Sequence, residues 1–245
     1  MISRTWVRRT LLTLTVAAVL YGVILRRPQV VFSYTTPADN VVLHARAPLP
    51  AQAAAIAAEA GRRVKRSPLY SAERTYYVFL CDSPALFAFF APINRRVGGI
   101  ADVYLSRHVF LRPSRIERDR LVGPSGAEAS GDRTLTYFIA HEITHIMTVR
   151  RLGPLRYMNL ETWQREGYAD YVGKGGAFDF AATLRDFTAG APSLDPNRSG
   201  LYLRYHLLVA HLLDHKGMTA DALLSSGMPS APIEAALATS AESQK

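Results

Sequence analysis

The feature that most constrains this 245-residue chain is the segment His-Glu-Ile-Thr-His at residues 141–145. In an α-helix, residues i and i+4 lie on the same face, so a helix here directs both imidazoles to one point. Glu142 is turned by about 100° around the helix axis and reaches the space beside that point. With 7 His and 9 Glu in the chain, chance gives only about 0.007 such segments.

Paired imidazoles on a helix are typical of a metal site. Cys81 is the only cysteine, so a metal site in this chain must be built from histidines and carboxylates. Neutral imidazole binds zinc tightly in tetrahedral geometry, and a catalytic zinc keeps one position open for water. We therefore predict one Zn²⁺ per chain, with His141 and His145 as ligands and Glu142 close enough to act on the water.

A third ligand is expected from the next helix, which is predicted at 160–172. If it packs antiparallel to the first helix across a turn at Gly153-Pro154, Glu166 brings a carboxylate to the metal. Asp170 lies one helical turn further on. We expect it to accept the free N–H of a ligating histidine, His141, and so to fix the tautomer of that ring.

These residues resemble the pattern of the gluzincins, a group of zinc metallopeptidases of thermolysin and aminopeptidase type. The resemblance rests on His141-Glu142-x-x-His145 followed 21 residues later by Glu166-Gly167-x-Ala169-Asp170, and it covers residues 132–175. It implies two histidines and a glutamate on zinc, Glu142 as general base, and Asp170 behind a ligand. It also implies that a strand before the metal helix, here at about 101–111, holds the substrate in extended form.

The resemblance further implies a donor for the oxyanion on a later helix. Tyr202 begins a predicted helix that resembles the tyrosine-bearing helix of aminopeptidase-type members, and it is the first candidate. Tyr205 and His206 are the alternatives. The same helix has five leucines, so a tyrosine here is also compatible with a purely structural position.

Secondary-structure patterns divide the chain after residue 32 into lobes at about 33–150 and 151–245. The first contains short β-prone runs and helices, and residues beyond 132 have only helical patterns. We predict an α+β, zincin-like fold with a small mixed sheet in the N-terminal lobe, an all-helical C-terminal lobe and the metal in the cleft between them. The predicted strands are 30–32, 41–43, 75–81, 101–105 and 108–111, and the predicted helices are 48–66, 84–90, 133–152, 160–172, 178–188, 200–216, 219–225 and 231–241.

Residues 1–32 are predicted to be a signal anchor. Residues 11–25 contain no charge and are flanked by Arg8-Arg9 and Arg26-Arg27. Fifteen apolar residues suit a secretory signal as well as a short membrane span, but no small-x-small cleavage site follows directly. The excess of positive charge before the span predicts a cytoplasmic N-terminus, with domain 33–245 outside the cytoplasm, in the periplasm if the cell is Gram-negative.

The net charge of +9 does not indicate a nucleic-acid partner. Residues 1–27 contain five arginines and no acid, so the remaining 218 residues have a net charge of only +4. The longest basic run is Arg62-Arg63-Val64-Lys65-Arg66, which fits a solvated helix face or turn better than a surface that binds phosphates. We expect a peptide or protein substrate and no nucleic acid.

The expected activity is zinc-dependent hydrolysis of peptide bonds. Two alternatives remain open. One is a zinc amidase that acts on cell-wall peptides, and the other is a non-catalytic envelope protein that binds peptides in a zincin-like fold. Glu142 argues against the second alternative, because a purely structural zinc site has no use for a base.

Overall fold

The computed structural model describes residues 4–195 and 201–242. Residues 1–3 of the predicted anchor, residue 200 at the predicted start of a helix, and residues 243–245 lie outside the described residues. The helices are α1 (Arg4–Arg26), α2 (Gln52–Lys65), α3 (Pro84–Phe90), α4 (Leu135–Leu152), α5 (Pro154–Met158), α6 (Thr162–Lys174), α7 (Phe180–Thr188), α8 (Leu201–Ala210), α9 (Ala220–Ser225) and α10 (Ser230–Glu242). The strands are β1 (Tyr34–Ala38), β2 (Val41–Ala45), β3 (Tyr76–Leu80), β4 (Gly99–Ala101), β5 (Val109–Leu111), β6 (Ser114–Arg115) and β7 (Arg120–Leu121).

Five strands form a mixed sheet in the order β1-β2-β3-β5-β4. The central strands β2, β3 and β5 are parallel, and the two outer strands β1 and β4 are antiparallel to their neighbours. β6 and β7 form a separate hairpin. The fold is therefore α+β with a small mixed sheet, as the sequence predicts, and β4 is an edge strand.

One face of the sheet forms the main core with α2 and α4. Side chains alternate along the strands, and Val78, Val109 and Leu111 point to this face. They are fully or almost fully buried. This packing holds α4 directly beneath β4 and β5.

The other face of the sheet is covered by an aromatic cluster that includes the end of α1, called the outer cluster below. Phe79 and Phe110, which alternate with the residues of the main core, pack here with Phe32 and Leu25. Phe32 is fully buried and Leu25 is 8% exposed. This cluster therefore contains residues from both sides of the predicted boundary at residues 32/33.

The part after α4 is helical, and no strand occurs after residue 134 among the described residues. Two glycines allow close approach between its helices. A Cβ atom on Gly167 would lie 2.7 Å from the backbone oxygen of Tyr205, so α6 and α8 meet there. A Cβ on Gly173 would lie 3.3 Å from Cβ of His141, which brings α6 against the middle of α4.

The predicted first strand, 30–32, is wrong. Residues Pro28–Val30 form a 3-10 turn, in which Pro28 is buried, and Phe32 directly after it packs in the outer cluster. The strand forms instead from Tyr34–Ala38, although it contains Pro37. A proline is tolerated there because an edge strand has one side without ladder hydrogen bonds.

The predicted strand at 101–105 is displaced, since β4 ends at Ala101. The carboxylate of Asp102 accepts the backbone N–H groups of Tyr104, Leu105 and Ser106 and stops the strand in a tight turn. The short helix α5 and the β6–β7 hairpin are not predicted by the sequence patterns. The other predicted helices are confirmed to within a few residues, and α4 is capped by Thr134.

Candidate metal centre

Helix α4 presents the two histidines of the 141–145 segment on one face. Every residue from Leu135 to Val149 is buried, because the helix is enclosed by the sheet, α2 and α6. Nε2 of His141 and Nε2 of His145 are 3.3 Å apart, and the two rings are nearly perpendicular. The predicted convergence of the two imidazoles is confirmed.

Glu166 joins the two histidines from the neighbouring helix α6. Its Oε2 lies 3.4 Å from Nε2 of His141 and 3.5 Å from Nε2 of His145. The other oxygen, Oε1, accepts a hydrogen bond from Nε of Arg165 at 3.2 Å. His141, His145 and Glu166 thus form a largely buried cluster that can hold a metal ion.

The ionisation of this cluster follows from its mutual contacts. Burial alone would raise the pKa of Glu166, but the neighbouring His145 and His141 hold that pKa below its ordinary value. For His145 the effects have the opposite signs. Burial alone would lower its pKa, but the Glu166 carboxylate raises it above the ordinary value. The carboxylate is therefore ionised and available as a ligand.

Glu142 lies between this cluster and the edge strand β4. It is 7% exposed, and burial raises its pKa above the ordinary value, although His145, His141 and the backbone of Ala101 act in the opposite direction. A Cβ on Gly99 would lie 3.0 Å from Oε1 of Glu142. The absence of a side chain at Gly99 therefore leaves the space that the Glu142 carboxylate occupies.

The expected direct bond between Asp170 and His141 is replaced by a bridge. The hydroxyl of Tyr137 donates to Oδ1 of Asp170 at 2.5 Å and lies 3.3 Å from Nδ1 of His141. A tyrosine one helical turn before His141 fills the gap between the two helices. Asp170 thus orients His141 through Tyr137, and the ring can keep Nε2 free for a metal.

Asp170 also binds His206 from α8. Nδ1 of His206 lies 2.9 Å from Oδ2 of Asp170, and Nζ of Lys174 lies 3.5 Å from the same oxygen. Burial alone would raise the pKa of Asp170, but these partners lower it to about 2. His206 is therefore committed to this buried network, which makes it a poor candidate for the predicted oxyanion donor.

Two tyrosines flank the cluster. The ring of Tyr202 lies 5.7 Å from the ring of His141, and the ring of Tyr157 lies 6.3 Å from that of His145. Burial raises the pKa of both hydroxyls, so both remain protonated donors at neutral pH. The sequence predicted Tyr202 but not Tyr157, which belongs to the unexpected helix α5. Tyr205 contributes its backbone to the contact with Gly167.

Helix α1 is the one segment of the described residues that is long and apolar enough to cross a membrane, over Thr5–Arg26. A signal sequence near an N-terminus meets the same criterion. Its exposed apolar side chains include Trp6, Leu11 and Leu12.

No protein-family model matches this chain, and no curated protein matches it. The function of the cluster must therefore be argued from its geometry and chemistry.

Proposed function

We propose that this protein is a membrane-anchored zinc peptidase of the gluzincin type, with His141, His145 and Glu166 as zinc ligands and Glu142 as general base. The observation that supports it most directly is the triangle of donor atoms. Its edges measure 3.3, 3.4 and 3.5 Å. Zinc bonds of about 2.0–2.1 Å at tetrahedral angles require edges of about 3.3–3.4 Å, so the ligand atoms stand where a zinc ion needs them.

The donor set supports zinc as the metal. Two imidazoles and one carboxylate form the three-ligand set of many catalytic zinc sites, whereas Mg²⁺ and Ca²⁺ favour oxygen ligands. His141, His145 and Glu166 would hold the ion and would leave room on it for a water. When bound, zinc supplies Lewis acidity and lowers the pKa of a water to about 7.

Glu142 supplies the proton transfer in this proposal. Its carboxylate borders the cluster without belonging to the triangle, so it is free to accept a proton from water and to pass it to a leaving amine. Tyr202 or Tyr157 donates a hydrogen bond to the oxyanion, a contribution on the order of 10²–10³ in rate.

The edge strand β4 supports a peptide as the substrate. An extended peptide can add to an open strand edge through backbone hydrogen bonds. β4 borders Glu142 at Gly99, so a peptide on this edge would lie along the proposed metal centre. We accordingly propose a zincin-like fold with the substrate cleft between β4 and the helical part.

The proposed location in the cell rests on α1. We propose that α1 is an uncleaved anchor with its N-terminus in the cytoplasm and the domain on the other side of the membrane. The burial of Leu25 supports retention of the helix, because cleavage after this residue would remove it from the outer cluster.

The alternatives differ in what they require of the site. An amidase for cell-wall peptides would use the same ligands and base, so only substrate choice distinguishes it. A non-catalytic peptide-binding protein would bind peptides without turning them over.

The deciding experiment measures zinc content and hydrolysis of a mixed set of fluorogenic peptides by the purified full chain. We expect one zinc per chain and hydrolysis that Glu142→Gln abolishes while zinc remains. Glu166→Ala should lose most of the zinc, and Glu73→Gln, at an exposed loop position, should change neither property. Zinc-free protein, or full turnover by Glu142→Gln, would refute the proposal.

A further inference from the structure

The charge-free part of α1 is short for a membrane span. Between Arg9 and Arg26 lie 16 residues without charge. At 1.5 Å per residue they extend about 24 Å, whereas the hydrocarbon core of a bilayer is about 30 Å thick. Arginines at both ends can reach the headgroups by extending their side chains. Even so, the whole charge-free segment is needed to cross the hydrocarbon core.

The last turns of this short span nevertheless contact residues of the domain. The hydroxyl of Tyr21 donates to the backbone oxygen of Phe89 at 2.9 Å, and the two rings meet edge to face at 5.1 Å. Leu25 is buried in the outer cluster. If these contacts lay above the bilayer, only residues 10–20, about 17 Å of helix, would remain to cross it. For α1 to span, the contact with Phe89 must lie inside the bilayer interface.

The surface around this contact has the composition of a membrane-binding face. Two loops border β4. One follows α3, which contains Phe89, and the other contains Asp102, whose carboxylate is close enough to act electrostatically on Tyr21. Ile93, at the tip of the first loop, is 91% exposed, and Leu105 in the second is 54% exposed. The exposed apolar residues of this surface are Phe89, Ile93, Val97, Tyr104 and Leu105.

Basic residues accompany these apolar side chains. Arg95, Arg96 and Arg107 are exposed in the same two loops. None of them forms an ion pair with another residue in the part of the chain that the structure describes. Asp102, the only acid between residues 83 and 118 apart from Glu117, is turned inward onto its own loop. Exposed apolar and aromatic residues mixed with unpaired arginines fit an anionic lipid surface.

We propose that the loops at residues 92–97 and 102–107, together with Phe89, rest in the interfacial layer of the same bilayer that α1 spans. The apolar side chains lie at the boundary of headgroups and acyl chains, and the three arginines face lipid phosphates. The domain is thereby seated on the membrane by a second, non-covalent surface.

This seating places the proposed cleft at the lipid surface. Ile100 of β4 packs in the cluster that contains Leu25, whereas the adjacent Gly99 borders Glu142. Strand β4 therefore has one residue in the cluster that contains Leu25 and the preceding residue beside Glu142. Resting on the proposed function, the substrate class is a peptide segment held next to the bilayer, in a membrane-anchored or lipid-bound polypeptide.

The docking is tested on the full chain in lipid nanodiscs that contain phosphatidylcholine and phosphatidylglycerol. An environment-sensitive fluorophore is attached to Ile93→Cys, Leu105→Cys or, as the control, Ala222→Cys on α9. Cys81 does not interfere, because it is buried and burial raises its pKa to about 12. Quenching by lipids with a nitroxide near the headgroup reports contact with the interface.

We expect blue-shifted emission and strong quenching for the labels at 93 and 105, and neither for the label at 222. Emission from either loop label that matches the Ala222 control would overturn the proposal. Circular dichroism of each labelled chain establishes that the fold is retained. This readout rests on the proposed span of α1 but requires no catalytic activity, so it stands or fails independently of the proposed hydrolysis.

The substrate class is tested with one cleavable peptide in two forms, soluble and attached to a lipid in the same nanodiscs. We expect at least about tenfold faster cleavage of the lipid-attached form, because its effective concentration at the docked cleft is higher. Equal rates would refute the substrate class. Cleavage of neither peptide by a chain whose loop labels contact lipid would refute the proposed hydrolysis while supporting the docking.

Discussion

At the scale of single residues, the hydroxyl of Tyr137 connects the candidate ligand His141 to the ionised carboxylate of Asp170. Both partners are buried, so the hydroxyl has no competing water and the ring of His141 is held in one orientation. Asp170 is itself fixed by His206 from a third helix. The orientation of one ligand therefore depends on the packing of α4, α6 and α8 together.

We predict that Tyr137→Phe weakens zinc binding by about 10–100-fold, the range found when a partner behind a metal ligand is removed. The substitution keeps the ring and its packing and removes only the bridge. Tyr171→Phe is the matched control, since its hydroxyl binds the exposed Asp214. Chelator competition gives both affinities, and equal values for the two variants would contradict the prediction.

The ligand residues were predictable because their spacing is a local property of helices. Two histidines four residues apart must share a face if the segment is helical, and Glu166 and Asp170 repeat the same spacing. Tyr137 is one turn before His141, so this spacing also contained a signal for it. What the sequence does not contain is the distance between α4 and α6, which decides that Asp170 needs a bridge.

At the scale of elements, β4 can approach α4 closely because Gly98 and Gly99 have no side chains. A Cβ on Gly99 would lie 2.4 Å from Cδ2 of Leu111 as well as 3.0 Å from the Glu142 side chain, and one on Gly98 would lie 2.5 Å from the ring of Phe138. Packed atoms do not approach this closely, so a Cβ at either position would force its neighbours to move. The two glycines thus fix how near the edge strand approaches the metal helix.

We predict that Gly99→Ala destabilises the protein by about 1–3 kcal/mol, the cost of overpacking a filled core. Gly61→Ala in α2 is the control, because its Cβ would meet Val41 at an ordinary 3.7 Å. Alanine is the better helix former, so this control should be neutral or stabilising by up to about 1 kcal/mol. Denaturant unfolding measures both, and an equal free energy for the two variants would be evidence against the close packing.

At the scale of the whole molecule, the outer cluster joins the anchor to the domain. Its members come mainly from α1, the segment after it that contains Phe32, β3, α3 and β5, which are far apart in sequence. Each of these segments alone is an ordinary apolar run. The sequence therefore predicted the helix and the strands, but not that Leu25 and Phe32 complete the sheet.

We predict that a chain beginning at residue 33 is less stable than one beginning at residue 20 by about 4 kcal/mol, since it lacks two buried apolar side chains worth roughly 2 kcal/mol each. Thermal and denaturant unfolding in the same detergent compare the two. Identical unfolding free energies would show that the cluster does not need Leu25 and Phe32.

The burial of His108 beside Phe79 and Phe110 predicts that the protein loses stability in acid. Burial lowers the pKa of His108 to about 4, despite the opposing effect of Asp102. The unfolded chain binds this proton near pH 6.5, so the folded state loses up to about 3 kcal/mol as the pH falls from 6.5 to 4. Unfolding of His108→Gln over this range should depend less on pH, and an unchanged slope would assign the effect to other groups.

The candidate ligands come from helices that are neighbours along the chain, and this has a consequence for folding. Glu166 follows His145 by 21 residues, and closing a loop of that length costs only about 3 kcal/mol of chain entropy. Parallel pairing of β2, β3 and β5 requires longer connections and is intrinsically slower. The metal ligands can therefore assemble as soon as one helical hairpin forms, and the later pairing of strands encloses a site whose donors have already met.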